Sequence, residues 1–87
     1  MNLPATKRRP VVHTIPQEEV DKFYVPIDDQ LQVAKTELIR RRKTYPTKVS
    51  NGRMTFSVAT YQIAAQQAIV KTLKEVFEKE QKERNWF

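Results

Sequence analysis

The chain has 87 residues, of which 30% are charged and 39% are hydrophobic, and its net charge is +6. A chain of this length forms at most one domain, with a thin core. Cysteine is absent and His13 is the only histidine, which excludes disulfides and thiolate metal sites, and we expect no cofactor. No apolar run approaches the roughly 18 residues that cross a bilayer, and no apolar segment of a secretory signal follows the basic start. We therefore expect a cytoplasmic protein with no membrane contact.

The first 25 residues are predicted to form an N-terminal arm, extended or partly ordered. Prolines at positions 4, 10, 16 and 26 disfavour long regular structure. Thr14 and Gln17 match the pattern of a capping box, which predicts a short helical turn starting at Thr14. Phe23 and Tyr24 give this turn an apolar side.

The first long helix is predicted over residues 26–44. Pro26 suits the first helical position, and acidic residues follow it in the first turn, where the helix dipole favours them. Apolar residues then recur at the spacing of a coiled-coil seam: Ile27, Leu31, Ala34 and Leu38. Pro46 disfavours helical geometry at Tyr45, so we expect the helix to end there.

Residues 46–54 are predicted to form the turn, and a second helix is predicted over 56–83. Gly52 is the only glycine of the chain, and a glycine there permits the positive φ that a chain reversal needs. Thr55 suits the N-cap of the second helix. An apolar row follows it at helical spacing: Ala59, Ile63, Val70, Leu73 and Phe77.

Together these elements predict an all-α fold, an antiparallel helical hairpin over residues 26–87 preceded by the proline-punctuated arm 1–25. The second helix is longer than the first, so part of its apolar face needs another cover. We expect this cover to be either the segment 14–25 or a second copy of the chain, and we expect a homodimer formed through the second helix. Trp86 and Phe87 are expected to pack on the hairpin or across the dimer.

The sequence does not indicate an enzyme. No serine or threonine near the turn has a candidate base nearby, and one glycine cannot form a phosphate-binding loop. The carboxylate pairs Glu18-Glu19 and Asp28-Asp29 are typical of first helical turns, where they complement the dipole. We therefore expect neither a catalytic residue, nor a metal site, nor a small-molecule substrate.

Basic residues concentrate around the predicted turn. Between Glu37 and Glu75 the sequence has no acidic residue but eight basic ones. We call six of these, which end the first helix or lie in the turn, the basic tip: Arg40, Arg41, Arg42, Lys43, Lys48 and Arg53. The helix dipole explains two or three cations at a helix end, but not the absence of acids across the whole region. The basic tip predicts a partner that is acidic, either nucleic acid or an acidic protein surface.

The stretch from Glu37 to Leu73 resembles small proteins of tailed phages and prophages. The resemblance rests on an arginine-rich helix end and on the core YPxxVxxGRMT, which starts at Tyr45 and is followed by an alanine-bearing helix. It implies a helical hairpin of unassigned function, encoded among genes for early, replication or recombination work, and a location in the host cytoplasm. Phe56 and Val58 depart from the family, which is more polar and charged at these positions.

Three functional hypotheses follow. The first is a phage-type accessory protein that binds nucleic acid, with the six residues of the basic tip as phosphate contacts and Tyr45 as a stacking residue. The second is an inhibitor or adaptor that binds a host protein. The third is a structural subunit of a helical assembly.

Overall fold

The computed structural model describes residues 14–84 and confirms an all-α helical hairpin. Three helices follow one another: α1 at Gln17–Val20, α2 at Ile27–Ser50 and α3 at Phe56–Arg84. Helices α2 and α3 pack against each other and are connected by a short turn, and residues 14–84 contain no strand. The predictions for residues 1–13 and for Trp86 and Phe87 lie outside the described residues.

The contact between α2 and α3 follows the predicted apolar rows, with two polar members. On α2, Leu31, Ala34 and Tyr45 are buried, and on α3 Ala59 is buried. The remaining members of the two rows are half-buried: Ile27, Leu38, Ile63, Val70, Leu73 and Phe77. Arg41 and Gln66 complete the contact, because they occupy the seam positions between the apolar residues.

Helix α2 does not end before Pro46, as the sequence predicted, but continues to Ser50 with Pro46 inside it. A proline inside a helix costs about 3 kcal/mol relative to alanine, because the bond to the carbonyl four residues earlier is lost. Continuing the helix buries Tyr45 and half-buries Val49, and each apolar side chain removed from water contributes about 1.5–3 kcal/mol. Pro46 and Val49 line an apolar depression shared with Phe56 of α3. Packing across the hairpin thus outweighs the local preference.

The turn between the helices uses the residues that the sequence indicated. Gly52 has a φ of +73°. The Arg53 N–H donates to the Lys48 carbonyl at 2.9 Å and the Gly52 N–H donates to the Val49 carbonyl at 3.1 Å, which is the Schellman arrangement. Thr55 caps α3, because its Oγ1 accepts from the Val58 N–H at 3.1 Å.

Helix α1 is short, as expected, but the capping box at Thr14 is wrong. Pro16 occupies the N-cap position, and no side chain caps the helix. The Gln17 side chain donates instead to the Asp21 carboxylate at 2.8 Å. Helix α1 packs on neither α2 nor α3, and Phe23 and Tyr24 stay exposed.

The core of the hairpin is thin. The four buried apolar side chains on α2 and α3 are the only ones in residues 14–84, and none is wholly removed from solvent. At about 1.5 Å per residue α3 is roughly 43 Å long and α2 roughly 36 Å, so the end of α3 extends beyond the start of α2. Apolar side chains are also exposed along the length of α3: Phe56, Val58, Tyr61, Ile69 and Val76.

Candidate binding surface at the basic tip

The structure places the six residues of the basic tip at one end of the hairpin. Five lie on the last three turns of α2 and Arg53 lies in the turn that follows. Lys71 and Lys74 belong to the far half of α3, so the fold separates them from the basic tip. Because residues 38–74 contain no acidic side chain, the nearest carboxylate along α2 is Glu37.

Glu37 pairs with two of the arginines. Arg40 contacts both carboxylate oxygens, at 2.9 and 2.7 Å, and Arg41 Nε donates to Oε2 at 2.8 Å. The hydrogen bonds donated by Arg40 and then Arg41 lower the pKa of Glu37 to about 2, and the bonds that Arg40 donates to the Glu37 carboxylate raise the pKa of Arg40. One carboxylate thus offsets part of the charge of two tip residues.

Arg41 is a component of the contact between the helices. Its guanidinium donates to the backbone carbonyl of Gln62 on α3 at 2.7 Å. It also lies over the ring of Tyr45, 5.9 Å from the centroid. Its side chain is only 20% exposed, so Arg41 stabilises the hairpin and offers little surface to a partner.

Tyr45, which was predicted to stack on bases, is packed between the two long helices. The residue is 8% exposed and lies among the side chains that join α2 to α3. The cations of Arg41 and Lys48 lie 5.9 and 5.4 Å from the ring centroid. The predicted stacking of Tyr45 on bases is not tested by this arrangement and stays a prediction.

The remaining tip residues are exposed. Arg42 donates to the Gln67 side chain of α3 at 2.6 Å, at the surface. The side chains of Lys43, Lys48 and Arg53 donate no hydrogen bond within residues 14–84. Together with the outer side of Arg40, these side chains form the part of the basic tip that an anionic partner can reach.

Sequence reasoning missed the internal partners of the arginines. Glu37 precedes Arg40 by three residues and Arg41 by four, a spacing that pairs opposite charges on one helix face, so this signal was present. The bond from Arg41 to Gln62 spans 21 residues and had no local signal.

No family model, curated protein or solved structure matches this chain. The resemblance to proteins of tailed phages therefore stays a prediction.

Two further observations concern residues 14–84. None of their helices combines the length and the apolar composition needed to cross a membrane. In the same residues no three acidic or histidine side chains come together as a metal site would require.

Proposed function

We propose that this protein is a small, phage-type accessory protein that binds nucleic acid through its basic tip, and that it is not an enzyme. One observation carries the proposal: the fold gathers six basic residues at one end of the hairpin, within a region of 37 residues that has no acid. Such a surface attracts polyanions over distances of about a Debye length, ~8 Å at physiological salt.

The contacts of each side chain divide the basic tip into two groups. Arg41 and Tyr45 hold α2 against α3, and Arg40 shares its charge with Glu37. Arg42, Lys43, Lys48 and Arg53 are exposed and can approach phosphates. Among these four only Arg42 is held by a side-chain hydrogen bond, to Gln67. Because the other three are not fixed in an arrangement that would read base edges, we expect binding that depends on charge more than on sequence.

The test compares two double variants with the same change in charge. In Lys43→Gln/Arg53→Gln the loss lies at the basic tip, and in Lys71→Gln/Lys74→Gln it lies on the far half of α3. All four side chains are exposed, so both variants are expected to fold as the wild type does. Fluorescence anisotropy of labelled single- and double-stranded DNA and RNA gives the affinity over a series of salt concentrations.

The tip variant should bind at least about tenfold more weakly than the wild type. Its slope of log K against log salt on duplex DNA should fall by about 1.8, since each phosphate contact contributes about 0.9. The α3 variant should stay within about threefold of the wild type. Equal losses in the two variants would mean that net charge and not the tip determines binding, and no binding at low salt would refute the proposal.

A second candidate function, an inhibitor or adaptor that binds a host protein, is favoured by the arm. Phe23 and Tyr24 are 78% and 88% exposed. A photoreactive amino acid in place of Tyr24 should then capture a protein in the cell, and Phe23→Ser should prevent the capture. If capture is absent, or is insensitive to Phe23, this function is excluded.

The third hypothesis, a subunit of a helical assembly, predicts a large oligomer that binds neither nucleic acid nor another protein. Sedimentation of the purified chain combined with the anisotropy measurement distinguishes it from the first two.

A further inference from the structure

Helix α3 has a second apolar row beside the one that packs on α2. Arg41 contacts Gln62 along one edge of the contact between the helices, and Arg42 contacts Gln67 along the other. On the edge of Gln62, residues follow one another at intervals of four, three, four, three and four, the spacing of a coiled-coil seam. These residues, which we call the α3 row, are Val58, Gln62, Ala65, Ile69, Thr72 and Val76.

Much of the α3 row is open to solvent. Val58 and Ile69 are each 48% exposed and Val76 is 41% exposed. Ala65 between them is small, which lets a neighbouring helix approach closely. Helix α1 does not pack on α3, so it does not cover this row.

The order of apolar and polar residues in the α3 row is the same from either end. When two copies of the row lie antiparallel and are centred on position 67, Val58 of one copy faces Val76 of the other. In the same way Gln62 faces Thr72, and Ala65 faces Ile69. Apolar residues meet apolar ones, the two polar side chains meet each other, and a small residue meets a large one. A two-fold axis requires such self-complementarity, because the same patch has to serve both copies. We infer that the α3 row binds the α3 row of a second copy of this chain, antiparallel and centred near residue 67.

The charges favour the antiparallel direction over the parallel one. A parallel pair would bring two basic tips together. In the antiparallel pair Arg53 of each copy lies 14 residues from the centre, so the two turns are about 42 Å apart, several Debye lengths. Arg41 and Arg42, which contact Gln62 and Gln67, lie closer to the centre. Glu80 and Glu83 continue the α3 row by four and three residues, and the same register brings them beside Lys48 and Arg53 of the second copy.

Helix α2 contributes to the same surface. Val33, which is 68% exposed, lines a depression with Val25 of the arm, Glu37 and Gln66, on the side where Glu37 pairs with Arg41. The Gln66 side chain donates to the Ala34 carbonyl at 3.0 Å, which sets Val33 level with the centre of the α3 row. Val33 therefore meets Val33 of the second copy beside the axis.

The size of this surface suits a dimer. A face of two helices about 20 Å wide and roughly 28 Å long measures about 560 Å² per copy. Two such faces exceed the roughly 1,000 Å² of total burial that a specific interface needs.

Cysteine cross-linking tests the register, and the wild type has no cysteine to interfere. Val58→Cys and Val76→Cys, mixed as separate chains, should form a disulfide between them under mild oxidation. Neither variant alone should cross-link, because the two equivalent positions lie about 27 Å apart in the antiparallel pair. Cross-linking of Val58→Cys with itself would mean a parallel pair and would overturn the inference, as would the absence of any cross-link.

Substitutions at two isoleucines provide a matched pair of variants for a measurement of the oligomeric state. Ile69 lies in the α3 row, whereas Ile39 is seven residues before Pro46, on the opposite side of the hairpin, and is 62% exposed. In analytical ultracentrifugation the wild type and Ile39→Glu should sediment as dimers of the 10.3 kDa chain, and Ile69→Glu should weaken the dimer at least about 100-fold. A wild type that is monomeric at tens of micromolar, or equal effects of the two substitutions, would refute the inference. Both measurements are made without nucleic acid, so their outcome is independent of the proposed binding by the basic tip.

Discussion

Replacing Arg41 by methionine removes the charged contacts of this side chain but keeps an unbranched apolar stem in the contact between the helices. The guanidinium donates to the Gln62 carbonyl at 2.7 Å and to Glu37 at 2.8 Å, and it lies 5.9 Å from the centroid of Tyr45. A hydrogen bond from a charged donor contributes about 1.5 kcal/mol or more, and a cation over a partly exposed ring contributes about 0.5–1 kcal/mol. The ion pair with Glu37 adds little, because exposed pairs are screened by solvent. We expect Arg41→Met to lower the free energy of unfolding by about 2 kcal/mol.

Urea unfolding followed by circular dichroism at 222 nm measures this loss. With a slope of about 1 kcal/mol per molar for a chain of this size, the midpoint should fall by about 2 M. Lys43→Met is the matched control, since Lys43 is exposed on the same helix and has no partner among the described residues, and it should stay within about 0.5 kcal/mol of the wild type. All proteins are compared at one concentration, because dimerisation would add to the apparent stability. Equal midpoints for Arg41→Met and Lys43→Met would refute the assignment of Arg41 to the hairpin.

The remaining predictions concern four other positions. The pKa of Glu37 is lower in the folded chain than its ordinary 4.5, so its contribution to stability is complete above about pH 4.5 and is lost as the pH falls towards about 2. Glu37→Gln should therefore lose less thermal stability than the wild type between pH 5 and pH 2. Identical losses in the two proteins would contradict the pairing. Pro46→Ala restores the missing helical hydrogen bond and should stabilise the hairpin by about 1–2 kcal/mol in urea unfolding, whereas a loss would mean that the proline ring itself packs on α3. Gly52→Ala should cost about 1 kcal/mol in the same assay because of the φ of +73°, as an added Cβ meets no atom within 4 Å and no clash contributes; a loss of 3 kcal/mol would contradict this. Gln66→Leu should change stability by less than about 1 kcal/mol, because the Ala34 carbonyl still accepts its hydrogen bond within the helix. Gln66→Ala should lose about 1–3 kcal/mol. A large loss for the leucine variant would mean that the amide is required.

The sequence predicted best where local chemistry and tertiary packing agree. Gly52 tolerates the positive φ that ends α2, Thr55 suits the N-cap of α3, and the structure uses both as expected. The apolar rows predicted which faces of α2 and α3 meet, because apolar residues that recur about every 3.5 residues form a single stripe on each helix, and these stripes pack together. The start of α3 at Phe56 follows from the N-cap at Thr55.

The prediction failed where a long-range contact opposes a local preference. A proline usually ends the helix in which it lies, but here the packing of Tyr45 and Val49 on α3 outweighs that preference at Pro46. Gln66 and Arg41 were not assigned to the contact between the helices, because a search for apolar periodicity passes over polar residues at seam positions. The basic tip was found from charge alone, but charge does not distinguish a guanidinium that holds the fold from one that faces a partner.

The short connection between α2 and α3 also determines how the hairpin opens. Only residues 51–55 separate the helices, and the Schellman arrangement and the Thr55 cap fix both of their ends there. The entropy of closing such a loop is small, so contacts near the turn form first and a chain with such local pairing folds within microseconds to milliseconds. Opening proceeds in the reverse order, from the free ends towards the turn. Amide hydrogen exchange should therefore be slowest around Tyr45 and Ala59 and faster towards Ile27 and Phe77, so that the surface bearing the positive charge keeps its shape while the other end of the molecule frays.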